Sequence, residues 1–130
     1  MHTDITTRAD IDLLMQRFYE RAMSDDTIGY LFTDVAQLDL EHHLPVIGDF
    51  WESILFGVGN YARHGRHPLM IHADLDRKSP LRPEHFSRWL ELFTATIDES
   101  FEGLHANFLK QRGHAIAQRM QQFIATAQAG

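Results

Sequence analysis

From one end of this chain to the other, large apolar residues recur at intervals of three and four, and nowhere do they alternate with period two. A 3.6-residue repeat buries one stripe of a helix, whereas a half-buried strand needs every second residue on one face. The pattern predicts an all-α chain. Ile11, Leu14, Met15, Phe18 and Tyr19 form the first stripe. Thr6 or Thr7 is its expected cap, with Asp10 or Asp12 favourable beside the positive end of the helix dipole. Ser24-Asp25-Asp26 interrupts the stripe, and Ile28-Gly29-Tyr30-Leu31-Phe32 reads as a short apolar turn ending near Thr33-Asp34.

A second stripe comprises Leu44, Ile47, Gly48, Trp51, Ile54 and Leu55. Pro45 is expected in the first turn of that helix, where a missing N–H costs little. Residues 57–68 hold Gly57, Gly59, Gly65 and Pro68 and read as a loop, followed by a short segment over residues 69–73. Pro83 and Glu84 open a third long helix, with Phe86, Trp89, Leu90, Phe93 and Ile97 on one side. After a break at Gly103, Leu109, Ile116, Met120, Phe123 and Ile124 mark the last. Four substantial helices with short connectors in 130 residues predict a single domain over residues 1–130.

Composition narrows the chemistry. Eighteen acidic against twelve basic side chains give a formal charge of −6, the wrong sign for a nucleic-acid partner. The absence of cysteine excludes disulfides, thiolate catalysis, iron–sulfur clusters and cysteine-held zinc. Met1-His2-Thr3-Asp4 lacks the basic and apolar regions of a secretory signal, and the apolar runs are too short to span a bilayer. A cytoplasmic protein without membrane attachment is expected. Nine phenylalanines leave room for a large, flat apolar guest.

Among nine histidines, His72 stands out. It closes the run His67-Pro68-Leu69-Met70-Ile71-His72, between the glycine-bearing loop and the third long helix. A neutral imidazole on a short segment over a helical core is what a haem iron takes as an axial ligand. His64, His67 and His72 also make an alternative zinc set, although no closed tetrahedral set at fixed spacing is evident. His42 and His43 are adjacent, hence about 100° apart on a helix, and cannot both face one site. The aromatic stripes are compatible with a plain core, and then the chain is a cofactor-free helical interaction module. Tyr19 and Trp89 weigh against that. Both lie on core-facing sides, and a buried phenol or indole normally has a hydrogen-bond partner. With His43 they would share one cavity, whose guest supplies the acceptor.

The order of these residues closely resembles the group III truncated haemoglobins. Phe18-Tyr19, Leu31-Phe32, His43, Ile47-Gly48, Phe50-Trp51, Pro68-Leu69-x-x-His72 and His85-Phe86-x-x-Trp89-Leu90-x-Leu92-Phe93 follow in sequence and spacing over roughly residues 8 to 125. The resemblance implies a shortened globin fold around haem b, with His72 as proximal iron ligand. Tyr19, His43 and Trp89 match the residues that face a bound ligand on the distal side, and Phe32, Ile47 and Phe86 those against the cofactor. Pro45, so close to His43, is expected to put this histidine at the helix start, free to swing between pocket and solvent. Arg63, Arg66 and His67 are candidates for the haem propionates. Asp74, Asp76 or a backbone carbonyl are the alternatives for the free nitrogen of His72, a carboxylate lending it imidazolate character.

The ligands so implied are O2, NO and CO. A charge-assisted hydrogen bond to a held ligand contributes about 1.5–3 kcal/mol, so donors at Tyr19 and Trp89 would make oxygen leave slowly. Slow release suits nitric oxide dioxygenation or peroxidase-like chemistry, with electrons from an external reductase, better than bulk oxygen transport.

Overall fold

The computed structural model describes residues 2–57 and 68–129. Five helices run in chain order: α1 (Arg8–Met23), α2 (Leu40–Phe56), α3 (Pro68–Lys78), α4 (Pro83–Ser100) and α5 (Leu104–Ala129). A π-helical turn, Leu31–Val35, lies between α1 and α2. No strand occurs among the described residues.

Of the two candidate caps of α1, Thr7 is the one used. Its hydroxyl accepts the N–H of Asp10 at 3.2 Å, and the Asp10 carboxylate accepts the N–H of Thr7 at 3.2 Å and of Thr6 at 2.9 Å. Three donors at the helix start are thereby satisfied. The first stripe is buried along its whole length, from Ile11 to Ala22. Ser24 ends the helix, and Asp25 binds the N–H groups of Thr27 and Ile28 and the guanidinium of Arg88. This fixes the turn that leads to Phe32.

Two boundaries differ from the sequence reading. The second helix begins at Leu40, with Asp39 as cap residue, so Pro45 lies in its second turn. A proline there removes the bond to the carbonyl of Glu41, one turn back. His43 itself still lies near the helix start, its N–H donating the first helical bond, to Asp39 O at 2.9 Å. Arg8 braces the same stretch. It reaches Pro45 O at 3.2 Å and pairs with Asp12, Asp49 and Glu52 at 2.7–2.9 Å. The second difference is α3, an eleven-residue helix where a short segment was expected. Its apolar pattern stops near residue 73, but the helix continues through Asp74, Asp76, Arg77 and Lys78. The last two complement the negative end of its dipole. The expected loop over residues 57–68 lies mostly outside the described residues.

Helix α1 packs on α2 and α4, and α5 packs on α4 and α3. Phe18, Phe93, Ile97 and Leu109 are fully enclosed in the common core. At the corner between α4 and α5, Gly103 adopts φ 142°, a left-handed conformation that favours glycine. A Cβ there would fall 2.5 Å from Cγ of Asp4. The Asp4 carboxylate accepts the N–H groups of His105 and Ala106, both at 2.9 Å, and so caps α5 from the other end of the chain.

Candidate functional site

Tyr19 in the fourth turn of α1, Phe32 in the π-turn and His43 in the first turn of α2 converge. The rings of Tyr19 and Phe32 meet edge to face with centroids 5.8 Å apart, and those of Tyr19 and His43 at 5.1 Å. Tyr19 Oη and His43 Nε2 are hydrogen-bonded at 3.0 Å. His42 is exposed while His43 is partly buried, as adjacent helical positions require. Ile47, one turn after His43, is half-buried against the core.

Phe18 connects this group to α4. Its ring stands edge-on to Tyr19 at 5.3 Å, to Trp89 at 5.7 Å and to Phe93 at 5.5 Å. Phe93 in turn stacks on Trp89 at 4.8 Å and on Trp51 at 5.1 Å. In the sequence Phe18 reads as ordinary core. Its place between the two polar aromatics depends on the angle between α1 and α4, which no spacing within α1 encodes. Phe86 is buried in the core on α4.

Burial sets the protonation of the polar pair. Tyr19 is 7% exposed, and loss of solvent pushes its phenol well above the ordinary value. The hydroxyl therefore keeps its proton and can donate it. Burial lowers the pKa of His43, and the charge of His72 lowers it further. Two imidazoles that repel in this way, one on α2 and one on α3, lie within electrostatic reach of each other. Half-buried His72 projects from the second turn of α3. Of the carboxylates near it in sequence, Asp74 pairs with Arg77, and Asp76 accepts the N–H of Leu81 at 2.7 Å.

Among the described residues, the Trp89 indole has no hydrogen-bond acceptor. The described residues bring a phenol and an imidazole into one hydrogen-bonded pair, flanked by Phe32 and linked through Phe18 to Trp89, with His72 on α3.

Arg63, Arg66 and His67, the candidate propionate partners, lie outside the described residues. So does His64, so that of the zinc set His64, His67 and His72 only His72 is described. No group of three or more metal-ligating side chains occurs among the described residues. No helix of the described residues is long and apolar enough to cross a membrane.

The model of the family described as bacterial-like globin matches residues 1–128. The chain is 30% identical over 127 residues to the group 3 truncated hemoglobin of Campylobacter jejuni, covering 95% of each protein. It is 32% identical over 89 residues to the group 1 truncated hemoglobin of Synechocystis, covering 68% of each. The crystal structure of the group III truncated hemoglobin from Campylobacter jejuni matches the fold with a TM-score of 0.82, at 30% identity and over 95% of both chains.

Proposed function

The chain belongs to the bacterial-like globins, among the haem-binding truncated haemoglobins of group III with their shortened all-α globin fold, and from that premise we propose that it holds haem b through His72 for redox chemistry on O2 and NO. When bound, haem supplies an iron centre that takes diatomic ligands and exchanges electrons. His72 would hold the group from α3, with Phe32, Ile47 and Phe86 as its apolar contacts and Arg63, Arg66 and His67 as partners for its propionates. Tyr19, His43 and Trp89 would supply hydrogen bonds to its ligand.

The observation that carries this reading is the 3.0 Å bond between Tyr19 Oη and His43 Nε2, made by a phenol that burial keeps protonated. A phenol has one proton to donate. In the tautomer with its proton on Nε2, His43 donates to Tyr19, whose own proton is left for a guest. In the other tautomer, Tyr19 donates to His43. A ligand that competes for the Tyr19 proton therefore meets a prearranged donor at little reorganisation cost. The Trp89 N–H adds a second. Two such donors slow ligand release, which favours NO dioxygenation or peroxide reduction over bulk oxygen carriage. The reducing equivalents come from a separate reductase, and the ligand range extends to CO.

Absorption spectra of protein expressed with haem available test the proposal. Wild type is expected to show a Soret band that is lost or strongly altered in His72→Ala. Turnover of NO in the presence of O2 and a reductase then separates dioxygenation from peroxide reduction. A colourless wild type, or a pigment unchanged by His72→Ala, overturns the assignment.

A further inference from the structure

The charges of this chain are unevenly divided. Of its twelve cationic and eighteen acidic side chains, residues 103–130 contain Lys110, Arg112 and Arg119 and not one carboxylate side chain. The remaining residues hold nine cations against eighteen acids. Helix α5 is a basic element on an acidic protein.

Its two faces are well separated. Ala106, Leu109, Gly113, Ala117, Met120 and Ile124 are buried. On the opposite side Leu104, Phe108, Arg112, Ala115 and Arg119 share one exposed stripe, at steps of four, four, three and four. Leu104 is 84% and Phe108 41% exposed. Lys110 is paired with Asp98 at 2.7 Å, but among the described residues Arg112 and Arg119 have no carboxylate partner. They stand about 10 Å apart along the axis, beyond an apolar end formed by Leu104 and Phe108. Two guanidiniums without a carboxylate partner among the described residues, beside exposed apolar side chains, make a surface complementary to carboxylates on a protein. An anionic membrane is the poorer match. It is held by clusters of four or more cations and by apolar side chains that insert, and most of those on α5 are buried in the core.

The position of this face suggests what the partner does. Helix α5 packs directly on α3, the helix that carries His72. We propose that the outward face of α5, centred on Arg112 and Arg119, docks an acidic electron-donating protein. This rests on the haem reading above. Within it, the donor would pass one electron from its reduced cofactor to the ferric haem, being oxidised by one equivalent as the haem is reduced by one.

Salt dependence provides a sharp test. The globin is net negative, so an acidic donor should be repelled overall, and its rate should rise as salt screens the repulsion. Docking on α5 reverses that sign. Ferric haem protein is mixed with reduced flavodoxin, an acidic donor, over a range of ionic strength, and with dithionite as a small reductant. The flavodoxin rate is expected to fall with added salt. In Arg112→Glu/Arg119→Glu it should drop about tenfold or more at low salt, with the dithionite rate and Soret spectrum unchanged. Amide NMR shifts on adding oxidised flavodoxin give a readout independent of turnover, expected around Arg112, Ala115 and Arg119. A rate that rises with salt, equal rates for the double variant, or loss of vesicle binding alone in that variant overturns the proposal. A wild type without a Soret band instead defeats the haem reading, and the NMR titration still decides whether α5 binds the acidic protein.

Discussion

Tyr19 and His43, twenty-four positions apart, are joined on facing helices by one hydrogen bond of 3.0 Å between Oη and Nε2. It is the contact through which α1 and α2 jointly set the polarity of the site. Removing the hydroxyl in Tyr19→Phe leaves the ring contacts with Phe18 and Phe32 but no phenolic donor. Oxygen should then dissociate about ten- to a hundredfold faster, the equivalent of one charge-assisted hydrogen bond. Stopped-flow replacement of O2 by CO measures this, and an unchanged off-rate would remove Tyr19 from ligand stabilisation.

The same residue has a signature independent of ligands. Burial raises the Tyr19 phenol above its ordinary value of 10.0, so it does not ionise near pH 10 while the protein is folded. The rise in phenolate absorbance around that pH should be equal in wild type and Tyr19→Phe. The linkage has a definite sign. Tyr19 ionises first in the unfolded chain, so its contribution to stability is present below about pH 10 and is lost at higher pH. A smaller phenolate rise in the variant would show that Tyr19 is solvated.

His43 acts at the acid end. Its pKa lies below the ordinary 6.5, through burial and then repulsion by His72. On acidification the unfolded chain takes up this proton first. The contribution of neutral His43 is therefore complete above about pH 6.5 and declines as the pH falls toward the folded value. Melting temperatures between pH 7 and 5 should fall more steeply for wild type than for His43→Leu. Parallel curves would count against a desolvated imidazole at this position.

Gly113 has a packing role that a methyl group would violate. A Cβ there would lie 2.7 Å from Cε2 and 2.8 Å from Cδ2 of Phe93. The Phe93 ring is wholly buried and stacked on both Trp89 and Trp51, so it cannot swing aside. Overpacking of this kind costs about 1–3 kcal/mol, whereas alanine gains about 1 kcal/mol over glycine in a helix interior. Gly113→Ala should be destabilised by up to about 2 kcal/mol in urea unfolding, with altered tryptophan fluorescence. A stabilised variant would mean that the α4–α5 contact relaxes freely.

Much of this arrangement was legible in the residue pattern because burial on helices leaves a periodic trace. The stripes of α1, α2, α4 and α5, a start at Thr6 or Thr7, the start at Pro83 and the break at Gly103 all followed from it. The boundary of α2 did not, since Pro45 reads as a first-turn residue unless the bracing by Arg8 is known. The length of α3 was hidden because its second half carries charges where an apolar stripe would have been recognised. At the site, the residue types on α1, α2 and α4 were readable, but their meeting was not. The Tyr19–His43 bond and the bridging ring of Phe18 depend on how helices cross. No periodicity within one helix contains that information.

Asp4, ahead of the first helix, holds the first turn of α5. Displacing that one carboxylate would loosen the structure a hundred positions away, so the stretch before α1 works as a fastening for a distant element rather than as a loose lead-in.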